Sequence, residues 1–115
     1  MLFALLLVQA GVIEVPGLPS VSKVDRVTYV YEKNDNSVPR PVSLEMVKLN
    51  DSGIIATEFE VDAVDGNGEV PEQYKIAREA ALASKLPCLV VQSGSRVVRV
   101  VDNPQTADDM RKAVQ

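Results

Sequence analysis

The chain has no histidine, no tryptophan and a single cysteine, Cys88, in 115 residues. Without histidine, neither a Ser-His-Asp nor a Cys-His nucleophile pair can form within one chain. Histidine-ligated metal sites and imidazole proton shuttles are excluded with it. One cysteine excludes an intrachain disulfide and a Cys-x-x-Cys redox pair, although Cys88 can still act as a lone thiol or pair with another chain. Aromatic residues make up only 4% of the sequence against 46% apolar residues overall, so the core must be built from Val, Leu, Ile and Ala. The net charge is −4, and no basic run is interleaved with aromatics, so nucleic acid is not an expected partner. No strongly basic amphipathic helix points to a membrane surface.

What is present begins with a dense apolar run, Met1-Leu2-Phe3-Ala4-Leu5-Leu6-Leu7-Val8. It is too short to span a bilayer, which takes about 20 apolar residues. Three readings stand. It is a secretory signal with small residues at Ala10-Gly11, against which no Lys or Arg precedes the run. It is an arm or extra strand that adds to this sheet or to a neighbouring subunit's. Or it is an ordinary buried first element. Pro16, Gly17 and Pro19 then mark a linker. The organisation expected is therefore an arm over residues 1–15, a linker over 16–23 and one domain over 24–115, long enough for a single core.

Within the domain, residues 26–31 (Arg-Val-Thr-Tyr-Val-Tyr) are β-branched and aromatic and read as a strand. A polar loop leads to Pro41, which suits the first turn of a helix. Val42, Met46 and Leu49 form its apolar stripe, flanked by Leu44 and Val47. Gly53 ends it as a left-handed cap. Residues 54–62 form the next strand. Glu58, Glu60 and Asp62 make one face polar, as befits an edge. Pro71 opens a second helical stretch that runs to Lys85, its inner face formed by Tyr74, Ile76, Ala77, Ala80 and Ala81. Residues 88–92 and 96–101 are strands joined through Ser93-Gly94-Ser95 as a hairpin. Thr106 caps a last helix, with acids in its first turn and Met110, Ala113 and Val114 facing inward.

The order strand-helix-strand-helix-strand-strand-helix implies an α/β fold. Its first two strands are parallel, the hairpin is antiparallel, and helices cover both faces of a mixed four-stranded sheet. The join Leu86-Pro87-Cys88-Leu89-Val90-Val91 places a proline at the first residue of a buried strand, where it removes no central ladder bond. With this join and the Ser93-Gly94 turn, and with Phe59-Glu60-Val61-Asp62 in place of a second core strand, residues 24–114 resemble the thioredoxin-like superfamily. The resemblance implies a cis Leu86-Pro87 bond. It also implies a groove between Leu86 and Pro87 on one side and Ser37, Val38 and Pro39 on the other, able to pair with an extended peptide. The family's redox motif belongs where this chain reads Ser37-Val38-Pro39-Arg40, and neither cysteine is there. Ser37 cannot substitute, because its hydroxyl is hardly ionised at neutral pH and no base is at hand. Dithiol exchange needs an attacking and a resolving thiol, so that activity is not carried over.

The remaining candidates have bland readings that outweigh the sharp ones. Cys88 bordering the family's substrate groove is a candidate thiol if the first helix lowers its pKa, but a free cysteine opening a core strand usually serves as a small hydrophobe. Asp62, Asp65, Asn67 and Glu69 carry oxygen ligands suited to Ca²⁺, but the twelve-residue loop pattern is absent and a solvated turn is the preferred reading. Glu58, Glu60 and Asp62 resemble a carboxylate row, and an exposed strand face is preferred. No catalytic residue, metal site or cofactor is assigned.

The expectation is a redox-inactive interaction or structural protein. Leu2, Phe3, Leu5, Leu6, Leu7 and Val8 form the assembly arm, and burying them yields several kcal/mol at about 25 cal/mol per Å². A protein partner, a homo-oligomer or a larger assembly follows, and a viral particle is one setting that suits it. The alternatives are a single-thiol or mixed-disulfide protein using Cys88, and an exported binding domain if residues 1–10 are a signal.

Overall fold

The computed structural model describes residues 23–33 and 38–115. The arm over residues 1–15, most of the linker, and Ser37 lie outside the described residues. The elements are β1 (Arg26–Tyr31), α1 (Arg40–Asp51), β2 (Ile55–Glu60), a 3₁₀ turn (Glu72–Tyr74), α2 (Lys75–Leu82), β3 (Cys88–Ser93), β4 (Arg96–Asp102) and α3 (Ala107–Ala113). The four strands form one sheet in the order β2-β1-β3-β4. β1 and β2 are parallel, and β3 runs antiparallel to both β1 and β4. This is the mixed α/β sheet expected from the element order, and it is compatible with a thioredoxin-like fold.

Strand alternation divides the core into two layers. On one face, Val27, Tyr29, Leu89 and Val91 meet Val42, Met46 and Leu49 of α1 and Met110 and Ala113 of α3. On the other, Val30, Phe59, Val61, Cys88 and Val90 meet Ala77 and Ala81 of α2. The two alanines let α2 lie close to the sheet, and Tyr74 stacks on Phe59 with ring centroids 4.4 Å apart.

The structure corrects several expected details. α2 ends at Leu82 and not at Lys85, and a 3₁₀ turn precedes it. Ile76 is 38% exposed and lies off its inner face. Leu44 and Val47 are 53% and 58% exposed, so they do not widen the α1 stripe. The place beside that stripe is taken by Glu45, which is buried and bridges Lys48 (3.8 Å) and Arg111 of α3 (3.7 Å). A carboxylate between two cations ties α1 to α3 where an apolar contact was expected.

Turn chemistry agrees with the backbone. Gly53 sits at φ 99° after α1, a conformation open to glycine without strain. Gly94, at φ 59°, turns the β3–β4 hairpin, and its N–H donates to both Asp25 carboxylate oxygens at 3.0 Å. α3 opens on a capping box: Thr106 Oγ1 accepts from the Asp109 N–H (3.0 Å) and Asp109 Oδ2 accepts from the Thr106 N–H (3.2 Å). The Gln105 N–H donates to the same Oδ2 at 2.8 Å.

These bonds hold the Asp109 carboxyl below its ordinary pKa, the Gln105 N–H first among the causes. A depressed native pKa contributes stability that is present above the ordinary aspartate value and lost as pH falls through the native one. Thr106→Ala should cost about 1 kcal/mol in urea unfolding. Asp109→Asn should make the loss of stability on acidification shallower than in the parent chain.

Candidate functional site

The sequence points to the join before β3 and to the start of α1. The Leu86–Pro87 peptide bond is cis. Pro87 is buried, and its carbonyl oxygen accepts from the Asn103 N–H at 3.0 Å. That bond ties the join to the residue after β4. Asn103 itself stands at φ 46°, a left-handed conformation that asparagine tolerates better than most residues. Leu86 is half-buried against the α2-side cluster, whereas Val38 packs on the α1-side cluster. Pro39 is the N-cap of α1, and its carbonyl accepts from the Val42 and Ser43 N–H groups, both at 3.0 Å. No side chain caps that end, no acid occupies its first turn, and proline stands among its first helical residues.

The thiol of Cys88 is not brought to the start of α1. Cys88 is fully buried, and it packs with Val30, Phe59, Val61, Val90, Ala77 and Ala81 on the α2 face, whereas α1 lies on the other. Burial pushes its pKa up to about 11, and the Asp102 carboxylate adds to the rise. The helix-lowered thiolate considered from sequence therefore has no geometric basis, and the small-hydrophobe role fits the packing.

The acidic residues are rearranged relative to the sequence groupings. Asp65 is committed to its own turn: Oδ1 accepts from the Asn67 N–H (2.8 Å) and the Glu69 N–H (3.1 Å). Glu58 accepts from Ser43 Oγ at 3.0 Å. Glu60 and Asp62 instead gather with Glu32, one carboxylate oxygen of each lying within 4.8 Å of the others. Glu32 follows β1 and has no sequence neighbour in the group. Only the parallel register, with Tyr31 opposite Glu60, brings it there.

Sequence reading also missed Asn50. Its side chain acts as a peptide mimic against β2: Nδ2 donates to the Ala56 carbonyl at 2.9 Å, and the Ala56 N–H donates to Oδ1 at 2.8 Å. In a parallel pair, alternate residues of an edge strand turn both backbone groups outward. Ile55 and Val61 donate towards the β1 side, to Asp25 and Tyr31, so Ala56 faces out and Asn50 covers it. The side-chain pattern gives no sign of this, because a helix-ending asparagine has the same appearance whatever it reaches.

No helix among the described residues is long and apolar enough to cross a membrane. The chain matches no protein-family model and no curated protein.

The state of Cys88 is directly measurable. With a pKa of about 11 in place of 9.0, the thiolate fraction at pH 8 falls roughly 100-fold. A chromogenic disulfide reagent should label the native chain at least that much more slowly than the urea-unfolded chain. The unfolded thiol loses its proton first, so the contribution of the neutral buried thiol to stability is complete below pH 9 and is lost as pH rises towards 11. Labelling of the native chain at the unfolded rate would show an accessible thiol.

Proposed function

We propose that this chain is a redox-inactive relative of the thioredoxin-like superfamily that serves as an interaction or structural subunit and joins a larger assembly through residues 1–15. The observation that carries the first half is the placement of its one cysteine. Cys88 is buried on the α2 face with its pKa raised, and the described start of α1 offers Val38, Pro39, Arg40 and Pro41. Thiol–disulfide exchange requires an accessible thiolate and a second sulfur, and neither is available within the chain.

The second half is supported by where apolar surface remains. The run Leu2, Phe3, Leu5, Leu6, Leu7 and Val8 is the densest in the sequence. Simple strand addition is obstructed at both sheet edges. Asn50 occupies the outward backbone of Ala56 on β2. On β4 the register passes from Val91↔Arg99 to Gln92↔Val97, leaving Val98 as a bulge. A bulge and charged side chains both discourage edge pairing. Contacts made by burying arm side chains then become the available route, and a protein surface of complementary apolar character is the partner class.

Size-exclusion chromatography with light scattering on the full chain and on a chain lacking residues 1–15 tests this. The full chain should run as an oligomer and the shortened one as a monomer. If both are monomeric, self-assembly through the arm is wrong. A parallel insulin-reduction assay should show no turnover above the reductant alone, and catalysis there would overturn the redox-inactive reading.

A further inference from the structure

Helix α1 turns Val42, Met46 and Leu49 into the core. At about 100° per residue, Arg40, Leu44, Val47 and Asp51 fall within roughly 60° of one another on the side directly opposite that stripe. All four are exposed. The helix therefore presents to solvent a second ridge with apolar side chains at its centre, a cation at its start and an anion at its end.

The two charges stand at the wrong ends for an isolated helix. The helix dipole favours acids at the N-terminus and bases at the C-terminus. α3 obeys this, with Asp108 and Asp109 in its first turn and Arg111 and Lys112 in its last. α1 has no acid in its first turn, opens on Arg40 and closes on Asp51, and its one late base, Lys48, pairs with Glu45 at 3.8 Å. Among the described residues, neither Arg40 nor Asp51 enters an ion pair. The ridge is also symmetric about the middle of the helix: Arg40 and Asp51 lie equally far from the midpoint, and so do Leu44 and Val47.

We infer that this ridge pairs with the same ridge of a second copy of the chain, the two α1 helices antiparallel across a two-fold axis. A two-fold interface must be self-complementary, residue i meeting j and j meeting i. The antiparallel arrangement sets Leu44 against Val47 of the other copy and Arg40 against its Asp51, each twice. It also places each misplaced charge beside the oppositely charged end of the other helix dipole. A parallel arrangement would bring like charges together. The spacing of four, three and four residues is that of the core positions of a coiled coil, and it lets the side chains interlock. Exposed ion pairs add little affinity, so Leu44 and Val47 supply the attraction and the charges set the direction.

A helix of 12 residues is about 18 Å long, and contact along it covers less than the roughly 1,200 Å² of a stable specific interface. The pairing is therefore weak, and the chains separate at the dilution of a chromatography column. It is distinct from association through residues 1–15 and stands whether or not they join an assembly.

Cross-linking of two full-length variants tests it, with Cys88 left in its buried position. A chain carrying Arg40→Cys is mixed in equal amount with one carrying Asp51→Cys at about 0.5 mM, a concentration suited to a weak complex. Both positions are exposed, so the core is undisturbed, and the mixed pair keeps one Arg40–Asp51 contact. A disulfide needs Cα atoms within about 7 Å. The antiparallel pair puts positions 40 and 51 side by side but holds 40 from 40, and 51 from 51, about 16 Å apart along the axis. Under mild oxidation, the 40–51 bond between chains should form about tenfold faster than either like bond, and adding Val47→Lys to both chains should remove that preference. Association through residues 1–15 alone would give no such preference. Statistical proportions of the three bonds, an excess of the like bonds, a preference that survives Val47→Lys, or no bond between chains, as when the ridge serves a different protein, would overturn the proposal.

Discussion

Burial of β3 on both faces is the constraint from which most of this structure follows. Cys88, Leu89, Val90, Val91 and Gln92 are all buried, with alternate residues passing into the α1–α3 layer and the α2 layer. A strand covered on both sides cannot carry an ionised group without a partner. It also cannot carry a proline beyond its margin, because both neighbouring strands need its N–H groups. Hence Pro87 precedes the ladder, and Cys88, the first residue inside it, behaves as an apolar group. The thiol's raised pKa and its remoteness from α1 are consequences of the same placement.

The parts of the fold that were legible in the sequence are those governed by local periodicity. β1 occupies the residues its β-branched and aromatic run predicted, and the buried stripe of α1 is Val42, Met46 and Leu49. Thr106 is the cap its hydroxyl suggested. Local pattern fails where a partner distant in sequence decides the outcome. Glu45 has the composition of a surface position and is buried only because Arg111 of α3 approaches it. Leu44 and Val47 have the composition of a core flank and remain exposed because no described element covers that side of α1. The candidate site divides in the same way. The proline at the join and the burial of a strand-opening cysteine follow from neighbours in the chain, the cis form of the Leu86–Pro87 bond came only with the family resemblance, and the gathering of Glu32 with Glu60 and Asp62 depends on strand register.

The tie between α3 and the sheet shows how charge serves architecture here. Arg99 on β4 donates to the carbonyl oxygens of Ala113 and of Gln115, the latter at 3.1 Å. The last carbonyls of a helix lack intrahelical donors and carry partial negative charge. A guanidinium there satisfies them and holds the short helix against β4. The bulge at Val98 makes this possible. Val97 packs on the α2 side and Val100 does likewise, an odd separation that a regular strand would not allow. The additional residue returns the chain to phase and sends Arg99 to the α3 side.

That local device also bears on association. An unbulged β4 would present seven residues, four of them valine, as a flat edge ready for another strand. The bulge breaks the match of faces on which a continuous added ladder depends, because pairs on either side of Val98 fall out of phase with a regular partner. At the opposite edge, Asn50 supplies to Ala56 the donor and acceptor that a new strand would have brought. With both margins so treated, the backbone of this sheet is poorly suited to recruit a neighbour.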